Sequence, residues 1–270
     1  MLAAPLQTLV NASLVSATVP QKMKIAYVTP ILKKKSLDAN MLKNYRPISN
    51  LSFISKLVER AADSQISDYL TAHNLLAPTQ SAYRRYHSVE TSLLKVQNDI
   101  LHYLDNSQGI LLVLLDLSAA FDTIDHQILL NRMKNDYAIT DQVLAWHKSY
   151  LTNRSQIISI NNIHSQRTPL NFGVPQGSVI GPKDFIIYTR PIYDIANSHD
   201  VCVMLYADDT QLYLPFSPSD SSSVTEAIVK MEACINHISA WMLANKLKLN
   251  EDKTEFIVIT PPKFKHIISK

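Results

Sequence analysis

The amino-acid sequence predicts an α+β fold. Three observations carry that prediction: two segments whose apolar residues recur at spacings of three and four, a six-residue apolar run that stops on an acid, and two short β-like runs separated by an acidic tetrapeptide. At 270 residues and 46% hydrophobic content the chain can bury a large core, in one or two domains.

The elements follow in order. Lys24 to Leu32 reads as extended, and Lys33-Lys34-Lys35 as a basic turn. A helix is expected from about Ser55 to His73, with Leu57, Ala61 and Leu70 among its apolar positions. A second starts at Ser88 as N-cap and turns Leu93, Val96, Ile100 and Leu104 to one side. Ile110 to Leu115 is six apolar residues between polar ones, the pattern of a buried strand, and it ends on Asp116. After a helix from His126 to Lys134 and an alternating strand from Gln156 to Ile160, Gly173, Gly177 and Gly181 come close together. Val201 to Leu205 and Gln211 to Leu214 flank Tyr206-Ala207-Asp208-Asp209, a hairpin with acids at its tip. Ser217 to Ser223 is a polar loop. A helix follows with Ile228, Met231, Ile235, Ile238 and Met242 on one face, then a strand from Glu255 to Ile259.

Composition excludes several classes. Two cysteines, Cys202 and Cys234, are too few for a disulfide framework or a four-cysteine zinc site, which suits a reducing compartment. No apolar run approaches the roughly 20 residues of a membrane span, and Met1 to Val10 lacks the basic and apolar regions of a signal peptide. An intracellular protein of cytoplasm or nucleus, without membrane attachment, is expected. The formal charge of +3 is compatible with nucleic acid but does not select it. Lys33 to Lys35, with Arg84 and Arg85, could follow a phosphate backbone or form a solvated face.

The acids carry the chemistry. A fold that sets the Asp116 strand beside the Asp208-Asp209 hairpin brings three carboxylates together, and such a cluster stays ionised only when cations neutralise it. Hard oxygen ligands with room for phosphates suit Mg²⁺, and two ions about 4 Å apart serve phosphoryl transfer. Taken singly, an Asp-Asp pair in a turn is a turn, and an aspartate after a strand is a cap or a surface charge.

Five motifs in order decide between these readings: Asn44-Tyr45-Arg46-Pro47-Ile48-Ser49, Leu115-Asp116-Leu117-Ser118-Ala119-Ala120-Phe121-Asp122-Thr123, Gly173-Val174-Pro175-Gln176-Gly177-Ser178, Tyr206-Ala207-Asp208-Asp209 and Leu249-Asn250-Glu251-Asp252-Lys253-Thr254-Glu255. The series resembles that of reverse transcriptases of non-LTR (LINE-type) retrotransposons, over about Val19 to Ile259.

The resemblance implies the fingers and palm of a right-hand polymerase, the palm an antiparallel sheet backed by helices. Residues 1–108 would be fingers, with about 126–172 returning to that side, and 109–270 palm. It implies RNA-directed DNA polymerase activity using two Mg²⁺, with Mn²⁺ as an alternative ion. The partners implied are an RNA template, a DNA primer and deoxynucleoside triphosphates. Asp116, Asp208 and Asp209 would be metal ligands, and Lys253 the proton donor to departing pyrophosphate. Arg46 would grip the triphosphate with its guanidinium fork, and Gln176 and Gly177 would lie against template and incoming nucleotide. Phe121, five residues past Asp116, would be the steric gate that rejects a ribose 2′-hydroxyl; without the motif it reads as a core aromatic.

The sequence also departs from the family pattern. Ala82 stands where glycine is usual, and Lys183-Asp184 where two leucines are usual, a change expected to weaken the local fold if either charge is buried alone. The chain stops about ten residues past the last expected strand, so thumb and endonuclease are expected to lie outside it and primer extension to be poor. A catalytically inactive remnant that binds nucleic acid or protein is the alternative.

Overall fold

The structure, a computed structural model, describes residues 2–117 and 121–267. Ser118, Ala119 and Ala120 of the second motif lie outside the described residues. Along the chain come α1 (Ala3–Val15), β1 (Ile25–Leu32), β2 (Tyr45–Asn50), α2 (Phe53–Ala72), α3 (Val89–Asp105), β3 (Gly109–Leu115), α4 (His126–Asn135), α5 (Asp141–Leu151), β4 (Arg154–Ile160), β5 (Ile163–His164) and β6 (Thr168–Leu170). They are followed by α6 (Gly181–Thr189), α7 (Pro191–Ser198), β7 (Cys202–Tyr206), β8 (Asp209–Phe216), α8 (Ser221–Ala244) and β9 (Glu255–Ile259).

These elements form two compact units, one of Met1–Leu75 with Phe121–Tyr188, the other of Leu76–Ala120 with Thr189–Lys270. In this division α3 groups with the later strands, and the segment from 173 to 188 with the earlier ones.

In the first unit β1 pairs antiparallel with β2 and parallel with β4, giving the order β2-β1-β4-β5, with β6 on β4. Pro47 is tolerated because β2 is an edge strand and needs no second ladder. α2 starts two residues before the expected Ser55, capped by Ser52, which accepts from Ser55 N at 3.1 Å. That frees the Ser55 hydroxyl to donate to Glu59 Oε1 at 2.9 Å. Glu59, 1% exposed, is the buried junction of the unit: Oε2 accepts from Val179 N at 2.7 Å, from Ile180 N at 3.4 Å and from the Tyr150 hydroxyl at 3.5 Å. Burial pushes its carboxyl above the ordinary value of 4.5, against the pull of those hydrogen bonds and of Arg154.

Lys183 and Asp184 are both buried in this unit, yet Asp184 is not alone. Its Oδ1 lies 2.7 Å from His147 Nε2, and both side chains are 0% exposed. The charge of Lys183 is felt at the half-buried carboxyl of Asp63. The pairing compensates one side of each group only: among the described residues Asp184 Oδ2 and His147 Nδ1 are buried without a hydrogen-bond partner, so part of the expected cost stands.

The second unit is built on the antiparallel sheet β7-β8-β3-β9. Alternation along β3 sends Ile110 and Leu112 to one face, where they meet Val96 of α3 together with Met204 and Tyr213. Leu111, Val113 and Leu115 point to the opposite face, the side of α7 and α8, which bring Ile192, Ile195, Met231, Cys234 and Ile238 into the core. Covered on both sides, β3 needs an uninterrupted apolar run, which is what the sequence has. Ser88 caps α3 with a full capping box: its Oγ accepts from Thr91 N, and the Thr91 hydroxyl accepts from Ser88 N.

Candidate active site

The acids gather at one end of the sheet of the second unit. β3 and β8 pair with Leu115 opposite Thr210, so one further step of that register sets Asp116 opposite Asp209. β7 and β8 close on Tyr206 opposite Asp209, which leaves Ala207 and Asp208 as a two-residue turn. Ala207 takes φ +55, as the first position of such tight hairpins requires.

Asp116 is held by the segment between α8 and β9. Leu117 bridges to Leu249, Asn250 N donates to Asp116 O at 2.9 Å, and Asn250 Nδ2 donates to Asp116 Oδ2 at 2.8 Å. Lys253 Nζ donates to the same Oδ2 at 3.1 Å. Two of the predicted residues of this unit thus reach Asp116, Lys253 by its hydrogen bond and Asp209 along the ladder, and Asn250, which sequence reasoning passed over, fixes the carboxylate.

The Asp209 carboxyl is raised above its ordinary range by desolvation first, then by the charges of Asp208 and Asp116, with Lys253 opposing. Asp209 is exposed, so the repulsion of Asp208 and Asp116 outweighs burial as the cause. Among the described residues no group of three or more His, Cys, Asp or Glu is gathered into a ready metal cage. The donor set nevertheless fits a hard divalent cation: carboxylate oxygens only, repelling one another, with Asp116 partly neutralised by an amine.

A buried glutamine ties a further loop to this end of the sheet. Gln80 Oε1 accepts from Ala82 N at 2.9 Å and from Ala207 N at 3.3 Å. Leu205 N donates to Thr79 O at 3.1 Å and Ser81 N to Leu205 O at 2.9 Å, covering the outer edge of β7. Positive φ falls on Tyr83, at +56, and not on Ala82, so no glycine is required at 82.

The other predicted residues belong to the first unit. Arg46 is exposed on β2, opposite Ile31. Phe121 is half-buried and stacks on the buried Phe185, ring centroids 4.9 Å apart. Gln176 Nε2 donates to Asp122 Oδ2 at 3.1 Å, and Gln176 O accepts from Ser49 N at 2.7 Å. Gly177 has φ +109, and a Cβ there would stand 2.8 Å from Ser49 O, so only glycine lets this loop close on β2.

Comparison with known proteins places the chain. The profile of the family described as "Reverse transcriptase (RNA-dependent DNA polymerase)" matches residues 31–266. This chain belongs to the reverse transcriptase family. Among curated relatives of Drosophila melanogaster, the probable RNA-directed DNA polymerase from transposon BS is 29% identical over 90% of the chain. The RNA-directed DNA polymerase from mobile element jockey is 25% identical over 87%. The chain spans about a quarter of their length, 27% and 25% respectively. Among solved structures, apo telomerase from Candida tropicalis truncated from its C-terminal domain superposes with a TM-score of 0.59 at 12% identity, over 89% of this chain and 51% of that one. The telomerase bound to a fragment of telomeric RNA gives 0.58 at 10%, over 93% and 44%. The fold is therefore that of a reverse transcriptase, and the sequence places the chain with the enzymes of non-LTR transposons. No helix among the described residues is long and apolar enough to cross a membrane.

Proposed function

We propose that this chain carries the nucleotidyl-transfer centre of an RNA-directed DNA polymerase, adding deoxynucleotides to a primer 3′-hydroxyl on an RNA template. The observation that carries the reading is the register that sets Asp116 opposite Asp209, with Asp208 in the adjoining turn. The unit that holds these acids is the palm in this reading, and the unit that holds Arg46, Phe121, Gln176 and Gly177 is the fingers.

Asp116, Asp208 and Asp209 would hold two Mg²⁺, which when bound supply charge neutralisation for the attacking and leaving oxygens of an in-line displacement. The 3′-hydroxyl oxygen loses its proton to solvent and bonds to the α-phosphorus, and the bond from that phosphorus to the pyrophosphate oxygen breaks. Asn250 keeps the Asp116 carboxylate fixed throughout, so its orientation costs no reorganisation during reaction. Lys253 has an exposed amine that would donate a proton to the departing pyrophosphate once released from Asp116. On the resemblance of their motifs, Arg46 serves the triphosphate, Phe121 the sugar edge, and Gln176 with Gly177 the template and incoming base.

The test is single-nucleotide addition of dTTP to oligo(dT) on poly(rA) with Mg²⁺ at low salt, an assay that needs no sustained grip on the duplex. Addition by the wild-type chain that disappears in Asp208→Asn is expected. Equal addition by both, or none by the wild type at saturating dTTP, would overturn the proposal.

A further inference from the structure

We propose that residues 82–87 form a stacking platform for the bases of single-stranded nucleic acid, presented beside the acid turn by Gln80. This rests on the proposed polymerase reading and adds to it a surface for the unpaired strand.

The loop is built rather than loose. Arg84 does not reach outward with NH1, as a phosphate-following arginine would. It donates inward to Ala77 O at 3.1 Å, Gln80 O at 3.0 Å and Pro78 O at 3.4 Å, stapling the loop to its own entry. His87 closes the other side, N to Arg84 O at 3.4 Å and Nδ1 against Arg85 O at 2.8 Å. The single oxygen of Gln80 Oε1 receives both Ala82 N and Ala207 N, so Tyr83 and Asp208 each follow a residue pinned to the same atom.

What the loop displays is aromatic. Tyr83 and Tyr86 sit at φ +56 and +62, a region bulky side chains rarely adopt. Two such residues within four positions are a strained arrangement that packing of Tyr86 does not explain, since that side chain is 93% exposed; Tyr83 is 48% exposed. The Arg85 guanidinium lies over the Tyr86 ring at 6.0 Å. An aromatic face with a neighbouring cation accepts any base and steers a phosphate, without reading sequence. The anionic turn at Asp208 and Asp209 disfavours bare phosphates there, so contact through base faces is the mode this surface suits.

The experiment is fluorescence anisotropy of the full chain with a labelled single-stranded oligonucleotide of about twelve nucleotides, and with a blunt duplex of the same sequence. Tyr86→Leu is expected to weaken single-strand binding by about 5- to 150-fold, the range of one lost base stack, and to leave duplex binding unchanged. Tyr86→Phe retains the face and should bind as wild type. Arg85→Ala should reduce the dependence on salt by about one phosphate contact, whereas Tyr86→Leu should not. A partly single-stranded duplex bearing a 5′ or a 3′ overhang then shows whether template or primer strand is held. Wild-type chain that binds the blunt duplex as well as the single strand, or Tyr86→Leu that binds like wild type, would overturn the platform. Should that happen while nucleotide addition still depends on Asp208, only the platform is lost. Should addition fail while single-strand binding depends on Tyr86, only the proposed function is lost.

Discussion

Lys253 Nζ and Asn250 Nδ2 converge on the same oxygen of Asp116, Oδ2, from 3.1 and 2.8 Å. The amine is a resident counter-ion, and any cation arriving at Asp116 meets a carboxylate already partly neutralised. The amine is largely exposed and the carboxylate partly so, which holds the strength of the pair to the order of 1 kcal/mol or less. Lys253→Met should therefore lower the Mg²⁺ concentration for half-maximal nucleotide addition, by up to about fivefold, even as the maximal rate falls through loss of the proposed proton donor. The check is a Mg²⁺ titration of the rate. A higher Mg²⁺ requirement in the variant would show that Lys253 does not compete at Asp116.

Glu59 predicts a pH dependence of folding. Its folded carboxyl is raised above the ordinary 4.5, so the folded chain holds this proton more tightly than the unfolded one. The contribution is fully favourable below 4.5 and is lost as pH rises through the window up to the raised folded value. Glu59→Gln should flatten that part of the stability curve. It should also cost about 1–3 kcal/mol, because one amide oxygen cannot serve Ser55, Val179, Ile180 and Tyr150. Urea unfolding at several pH values reads both effects; a slope in the variant equal to that of wild type would contradict the assignment.

The His147–Asp184 pair predicts non-additive substitutions. Asp184→Leu alone strands a buried imidazole and should destabilise by about 3–5 kcal/mol. Combined with His147→Leu, much of that loss should return, since a well-packed apolar pair can replace a buried polar one. Denaturant midpoints of the two singles and the double close the cycle. Additive losses would mean the two side chains do not depend on each other.

Phe121→Val should relax sugar selection. Loss of the ring removes its stack on Phe185, at about 1–2 kcal/mol of stability, and opens the space proposed to exclude a 2′-hydroxyl. The ratio of dTTP to rUTP addition should fall by about tenfold or more. An unchanged ratio in a folded variant would leave Phe121 as a packing residue.

Legibility followed the range of the forces. β3 and the start of α3 could be read because one is written in consecutive apolar residues and the other in a local cap, although Leu93, expected on the buried side of α3, is 51% exposed; β9 was found at its observed ends. Helix α1 could not. Its only buried residue is Ser13, and its end is tied down by Gln142 Nε2, which donates to Leu14 O and Val15 O from far along the chain. β2 was hidden by Pro47 and exists through pairing with β1. At the site the acids were legible from their motifs. Asn250 and Gln80 were not, because each acts by hydrogen bonds to segments 134 and 127 residues away, which no local pattern records. The partner of Asp184 was hidden for the same reason: His147 lies 37 residues upstream of it.

The central claim is that Asp116, Asp208 and Asp209 act together as one divalent-cation site, and direct titration of Mn²⁺ by electron paramagnetic resonance tests it without requiring turnover. Wild-type chain should bind Mn²⁺, Mg²⁺ should compete for the same site, and Asp116→Asn and Asp208→Asn should each weaken binding by about tenfold or more while leaving the circular dichroism of the fold intact. Folded Asp116→Asn and Asp208→Asn variants that bind Mn²⁺ as tightly as the wild type would contradict it.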